Sequence, residues 1–177
     1  MKLVSTLMGA AHRIDSVSGR CNWNADDYGP EVAAHVHLGE TPEQFAAHLE
    51  EHGWPDFVAR ANLEVLVVDS RLTVANMKSS VEPVLATRNT PSTSIGTVPV
   101  SCLLGVTDST IVETVEAPTF SFAMTGRVFE PGESDTNGWV VRGEPELHLR
   151  NDKVPYRTIT CTSVVNRIPM SLRPNRG

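Results

Sequence analysis

The sequence predicts a mainly β protein of the α+β class. We expect an antiparallel β-sandwich or open β-barrel with one or two short helices packed at one end. Three observations support this fold class. Apolar and polar residues alternate along several short segments, as they do in half-buried strands. Clusters of glycine, proline, asparagine and serine separate these segments, and a single segment carries a complete helix signature.

The centre of the predicted sheet is the stretch Ile95–Glu130. Turn-forming residues at Thr107–Ser109 and at Ala117-Pro118 divide it into three consecutive antiparallel strands. In the last strand, one parity of the alternation is apolar and is expected to face the core. These core residues are Phe120, Phe122, Met124 and Val128. The stretch therefore predicts a scaffold, and it carries no catalytic signature.

The residues before this sheet give a mixed pattern. Apolar positions in Met1–Ser16 fit one face of a helix, although Leu3–Leu7 would also suit a strand. The segment Ser16–Pro30 is rich in glycine, asparagine, aspartate and serine, which predicts a loop. Strict alternation over Glu31–Leu38 predicts a strand that carries His35 and His37 on one face.

The clearest helix signal follows at Thr41. This residue suits the N-cap, with Pro42 at the first helical position and Gln44 placed to complete a capping box. Phe45 begins the apolar stripe, and Gly53 is placed to end the helix. The sequence therefore predicts a helix between Thr41 and Gly53.

The remaining elements are less regular. They are a short helix over Pro55–Ala61, strands over Leu63–Val68, Arg71–Ala75, Trp139–Arg142, Glu146–Arg150 and Tyr156–Asn166, and surface loops over Met77–Ser94 and Pro131–Gly138. We interpret residues 1–166 as a single β-rich domain and residues 167–177 as an extended basic C-terminal arm.

Composition excludes several classes of protein. A chain of 177 residues with 40% hydrophobic and 20% charged residues is typical of one globular domain. No apolar run is long enough to span a membrane. His12 and Arg13 follow a short apolar stretch, so we expect no secretion by a signal peptide. The three cysteines, Cys21, Cys102 and Cys161, are widely spaced and suggest no metal cluster; whether Cys102 and Cys161 pair is left open.

Charge is divided unevenly along the chain. From Arg142 to Gly177 there are seven Lys or Arg against three Asp or Glu, although the whole chain carries a net charge of −6. An acidic body argues against direct nucleic-acid binding, and a basic end suits contacts between neighbouring subunits. We therefore expect copies of the chain and other subunits of a large assembly as partners. The expected contact residues are Arg167, Leu172, Arg173 and Arg176.

Two histidines suggest a metal site. Gly29 is separated by five residues from His35-x-His37, whose two imidazoles lie on one side of the predicted strand, and this spacing resembles the first motif of the cupin family. The resemblance implies a β-barrel that holds a divalent metal, with Glu40 or Glu43 and a distant His148 as further ligands. The simpler interpretation is two polar side chains on an exposed or interface surface. His48 and His52, four residues apart on the predicted helix, allow the same two interpretations.

No other motif indicates catalysis. The sequence contains no P-loop, GxGxxG element, GxSxG elbow or CxxC pair. A β-rich chain with Ser/Thr-rich strands and oppositely charged ends has the general character of bacteriophage structural proteins from the tail, neck or capsid surface. We therefore expect a non-catalytic assembly protein of the virion or cytoplasm that needs no cofactor. The alternative is a small cupin-like enzyme that depends on a divalent metal at His35 and His37.

Overall fold

The computed structural model describes residues 2–54 and 58–153. The helices are α1 (Lys2–Met8), a 3₁₀ turn (Ala25–Tyr28), α2 (Pro30–His35), α3 (Pro42–His52) and α4 (Val58–Asp69). The strands are β1 (Arg13–Asn24), β2 (Val74–Leu85), β3 (Thr90–Ser92), β4 (Gly96–Val98), β5 (Leu103–Thr114), β6 (Thr119–Arg127), β7 (Thr136–Glu144) and β8 (Leu147–Asp152).

Six strands form one sheet in the order β2-β5-β6-β1-β7-β8, and β3 and β4 form a separate hairpin. The mainly β, α+β fold class is confirmed. The large sheet is mixed, because β1 lies parallel to β6 while its other neighbour, β7, is antiparallel. Parallel neighbours end at the same edge, so β1 and β6 bring Asn24 and Arg127 side by side.

The first hydrophobic core lies between one face of the large sheet and helices α1 and α4. Leu63, Leu66 and Val67 of α4 are fully buried against Val17 of β1 and Phe120 of β6. The rings of Phe122 and Trp139 stack at 4.9 Å with an interplanar angle of 7° in the same core. At about 1.5–3 kcal/mol per fully buried large apolar side chain, this layer is a major source of stability.

A second core lies at the end of the sheet where β1 and β6 finish. It packs α2, α3 and the β3–β4 hairpin against the first residues of β5, through Val36, Phe45, Val98 and Leu103. Trp23 contacts both cores. Its ring lies directly over Gly126, where an added Cβ would be only 2.1 Å from the indole. The missing side chain therefore lets Trp23 join the two cores.

The region Ser16–Pro30, predicted as a loop, is instead most of β1 and the 3₁₀ turn. Val17 and Cys21 point into the first core, while Ser18 and Arg20 between them face outward. The strand therefore alternates, but it contains few apolar residues. The predicted strand Glu31–Leu38 is also wrong. Pro30 begins helix α2 after Gly29, and the chain then turns at His37 and Gly39, whose φ angles are 55° and 84°.

The predicted strand Leu63–Val68 is wrong, since these residues lie within α4. Residues 58–61 of the short helix expected over Pro55–Ala61 form the start of α4, and residues 55–57 lie outside the described part of the chain. Of the strand predicted over Arg71–Ala75, only Val74 and Ala75 are in a strand, because β2 begins at Val74. The surface loop predicted over Met77–Ser94 is also wrong, since residues 77–85 belong to β2 and residues 90–92 to β3. β2 is an edge strand, where a polar sequence with a proline is tolerated and resembles a loop.

Other expectations are confirmed. Thr41 and Gln44 form the capping box of α3, and Gly53 ends that helix with φ 68°. β5 and β6 form an antiparallel hairpin around Ala117-Pro118.

The turn expected at Thr107–Ser109 is absent, because β5 runs straight through these residues. The strand over Tyr156–Asn166 and the arm over residues 167–177 lie outside the described residues.

Candidate functional site: an acidic cleft at the end of the sheet

A cleft of about 670 Å³ opens where β1 and β6 end. It lies between the 3₁₀ turn, the β3–β4 hairpin and the loop that joins β6 to β7. Among its lining residues are Asn24, Asp27, Arg88, Thr90, Phe129, Glu130, Glu133, Asp135 and Lys153. Ligand sites commonly lie at the carboxyl ends of parallel strands, which makes this the candidate site of the described chain.

Asn24 joins the 3₁₀ turn to the loop between β6 and β7. Its side-chain oxygen accepts hydrogen bonds from the backbone amides of Asp26, at 3.4 Å, and Phe129, at 3.2 Å. Its amide nitrogen donates to Asp27 Oδ1 at 3.1 Å, and its backbone N–H donates to Asp135 Oδ1 at 3.0 Å. The position of both aspartates therefore depends on one neutral residue at the end of β1.

The β6–β7 loop is held by arginine pairs. Arg127 binds Glu133 through both of its terminal nitrogens, and its guanidinium lies 5.2 Å from the centre of the Phe129 ring. The hydrogen bond from Arg127 keeps the pKa of Glu133 below its usual value. Arg88 pairs with Glu130 at 2.7 Å across the cleft wall.

Asp26 fixes the opposite wall by binding the β3–β4 hairpin. Its carboxylate accepts hydrogen bonds from Ser92 Oγ at 2.8 Å and from the backbone amides of Thr93 and Ser94. Burial alone would raise the pKa of Asp26, but these hydrogen bonds outweigh it and the pKa is lowered. The hairpin is therefore tied to an ionised carboxylate.

The cleft is suited to a cationic ligand. Four lining carboxylates, Asp27, Glu130, Glu133 and Asp135, face two lining cations, Arg88 and Lys153. Asp27 Oδ1 and Asp135 Oδ1 each accept a hydrogen bond from Asn24. Carboxylates in a concave site attract positive groups and bind them through charge-assisted hydrogen bonds.

The histidines predicted from the sequence lie elsewhere. His35 ends α2 and His37 lies in the following turn, so the two do not project from one strand as the cupin-like motif requires. His37 is buried, with Nδ1 3.1 Å from Glu40 Oε2 and its ring 4.4 Å from that of His48. These contacts place it in an aromatic cluster of the second core.

The other predicted residues are scattered. Glu43 lies in the first turn of α3, and His148, on β8, pairs with Glu146 at 2.6 Å. Within the described residues, no group of three or more His, Cys, Asp or Glu side chains is arranged to hold a metal ion. The residues expected at an interface, Arg167, Leu172, Arg173 and Arg176, lie outside the described part of the chain.

Sequence reasoning missed the cleft residues because they come from four distant segments. One signal was present: Glu130, Glu133 and Asp135 cluster around the Pro131–Gly138 loop. Within residues 2–54 and 58–153, no helix has the length and apolar character needed to cross a bilayer.

Comparison with known proteins changes the functional interpretation. No family model and no curated protein matches the sequence significantly. The fold is similar to the structure of amine dehydrogenase from Mycobacterium smegmatis, with a TM-score of 0.90 and 41% sequence identity over 96% of this chain. The chain spans 50% of the length of that enzyme.

This similarity contradicts the expected virion structural protein. A likeness of 41% identity over nearly the whole described fold relates the chain to an enzyme, whereas the bacteriophage interpretation rested on general character alone. The error came from treating the absence of a familiar motif as the absence of catalysis.

Proposed function

We propose that this chain is the amine-binding part of a dehydrogenase that oxidises amines. The observation that carries the proposal is the similarity to amine dehydrogenase, at 41% identity over 96% of the chain. Because the chain matches half of that enzyme, we assign the electron acceptor to the other half. The cleft at the end of β1 and β6 is the site we assign to the amine.

The chemistry of amine oxidation explains why an acidic cleft is useful. A primary alkylamine is protonated near neutral pH, as a lysine side chain is, with a pKa of about 10.4. The ammonium group must first lose a proton; the α-carbon then gives up a hydride, with both electrons, to the acceptor. The product is an iminium ion, which remains positively charged, so carboxylates at the site attract both substrate and product.

Within the cleft, Asp27 and Asp135 are the residues we assign to the ammonium group. Glu130 and Glu133 are already paired with Arg88 and Arg127, which offsets their charge. Asn24 donates its side-chain amide to Asp27 and its backbone N–H to Asp135, and both carboxylates line the cleft. Phe129 lines the same cleft and offers an apolar surface to the alkyl group.

Titration with a primary alkylamine tests this assignment. We expect amide chemical shifts measured by NMR to change around Asn24, Asp27 and Asp135, and a neutral alcohol of the same shape to produce no such change. Replacing Asp27 and Asp135 together by Asn should weaken amine binding at least tenfold, since each lost charge-assisted hydrogen bond is worth about 1.5–3 kcal/mol.

Glu50→Gln is the matched control, because this carboxylate is exposed on α3 and does not line the cleft. Its affinity for the amine should equal that of the wild type. Equal chemical-shift changes with amine and alcohol, or an unchanged amine affinity in the Asp27/Asp135 variant, would show that the cleft is not the amine-binding site.

A further inference from the structure

Three imidazole rings lie next to one another at the second core. His37 is in the turn that follows α2, and His48 and His52 are one turn apart on α3. The ring centres of His37 and His48 are 4.4 Å apart, and those of His48 and His52 are 4.8 Å apart. None of these three side chains lines the cleft.

His37 is oriented in the same way as a histidine that binds a metal ion. Its Nδ1 lies 3.1 Å from Glu40 Oε2. An ionised carboxylate can only accept a hydrogen bond, so Nδ1 carries the proton and the neutral ring has its lone pair on Nε2. Metal-binding histidines commonly donate their other ring N–H to a carboxylate, which fixes the tautomer and the orientation of the ring.

The lone pair on Nε2 of His37 is accessible. Among the described residues, the fully buried side-chain nitrogen and oxygen atoms without a hydrogen-bond partner are Ser94 Oγ and Asp108 Oδ1. Nε2 of His37 is not one of these two atoms, although the residue is only 8% exposed and its hydrogen bond is made by Nδ1. Nε2 therefore reaches the surface, and the half-buried His48 lies beside it.

The distance between the two rings is suited to the coordination of one ion. With metal–nitrogen distances of about 2.0–2.1 Å and angles of about 90–110° at the metal, the centres of two bound imidazoles lie about 4.5–5.2 Å apart. The 4.4 Å between His37 and His48 is close to the lower end of this range. That end corresponds to right angles at the metal, which Cu²⁺ and Ni²⁺ prefer when nitrogen ligands bind them.

We propose that His37 and His48 bind one divalent transition-metal ion, with water completing its coordination. Two protein ligands suffice for this site, and the described residues hold no metal-binding group of three or more His, Cys, Asp or Glu side chains. The ion links the turn after α2 to α3, two segments that pack in the second core. The proposal does not depend on amine oxidation, since neither ligand lines the cleft.

This pair of ligands is not the pair that the sequence suggested. His35 ends α2, and its ring lies 5.5 Å from that of Trp54. The ring of His37 is instead in contact with His48, eleven positions further along the chain. His35 is therefore a matched control, because it is close to His37 in sequence and is not a proposed ligand.

NMR spectra of the full chain, titrated with Cu²⁺, test the proposal without any substitution. A paramagnetic ion broadens the signals of the nuclei nearest to it. At less than one equivalent of Cu²⁺, the amide signals of residues 36–38 and 47–49 should broaden before those around His12 and His148. The same concentration of Mg²⁺ should broaden and shift none of them, because Mg²⁺ prefers oxygen ligands.

Single replacements then identify the ligands. His37→Gln and His48→Gln should each weaken Cu²⁺ binding at least tenfold in isothermal titration calorimetry, whereas His35→Gln should leave the affinity unchanged. Circular dichroism should show each variant to be folded. If His37→Gln does not fold, His48→Gln and the wild-type spectra still decide the outcome.

Several results would overturn the proposal. They are an absence of saturable Cu²⁺ binding, line broadening that begins around His12 or His148, and an affinity that a folded His48→Gln variant retains. A loss of binding in His52→Gln without a loss in His37→Gln would also overturn it, because the ion would then be held by the two histidines of α3 alone.

Discussion

Replacing Leu66 by Ala is expected to lower the free energy of unfolding by about 2–5 kcal/mol, the usual cost of emptying a buried leucine site. Leu66 is fully buried in the first core, between α4 and the large sheet. Replacing its neighbour Val65 by Ala should change the same quantity by less than about 0.5 kcal/mol, because Val65 is 51% exposed. Urea denaturation measures both values.

This pair of variants distinguishes a helix from a strand. In α4, Leu63, Leu66 and Val67 share one face at helical spacing, and Val65 points away. In a strand, Val65 would lie on the same side as Leu63 and Val67, and Leu66 would point away. A larger loss of stability from Val65→Ala than from Leu66→Ala would contradict the helix.

Replacing Asp108 by Ala is expected to lower the free energy of unfolding by about 1–3 kcal/mol at about pH 4, the cost of leaving buried amides without an acceptor. Asp108 lies on β5 and is only 3% exposed. Its Oδ2 accepts a hydrogen bond from the backbone N–H of Ala59 at 2.9 Å, in the first turn of α4. A residue distant in sequence therefore caps this helix.

The stability lost on replacing Asp108 by Ala should depend on pH in a defined direction. Burial raises the pKa of Asp108 above its usual value, against the opposing effect of the backbone hydrogen bonds. Its Oδ1 is also buried and accepts no hydrogen bond from the described residues. The stabilisation from Asp108 is therefore complete below the pKa of an unfolded aspartate, and it declines as the pH rises through the higher pKa of the folded state.

The difference in stability between wild type and Asp108→Ala should accordingly be largest in acid and smaller near neutrality. Asp108→Asn is the control, because its side-chain oxygen still accepts from Ala59 but cannot ionise. It should lose less stability in acid than Asp108→Ala does. Urea denaturation at several pH values between about 3 and 7 measures the effect. A difference that grows with pH would contradict the assignment.

These two residues also explain part of what the sequence could not reveal. The valine-rich segment around Leu66 resembles a strand by composition, and Asp108 resembles a turn residue by type. A contact between distant segments overrides these local preferences: the carboxyl group of Asp108 on β5 accepts a hydrogen bond from Ala59 at the start of α4, and it is buried there. Local patterns did predict the β5–β6 hairpin and the capping box at Thr41, where every signal is within a few residues.

The candidate site was hidden for a similar reason. Asn24 and Asp135 are 111 positions apart in the chain, and the parallel pairing of β1 with β6 brings their segments together. Such a crossover leaves no local signature. The His35-x-His37 spacing, in contrast, is a local pattern. The turn after α2 keeps the two histidines from projecting from one strand, as the pattern had suggested.

A chimera with the amine dehydrogenase from Mycobacterium smegmatis tests the central claim most directly. The half of that enzyme that this chain matches would be replaced by this chain, and amine-dependent reduction of the enzyme's electron acceptor would be measured. We expect the chimera to oxidise amines, and to lose at least tenfold in kcat/KM when Asp27 and Asp135 are both replaced by Asn. A folded chimera that oxidises no amine accepted by the parent enzyme would contradict the account.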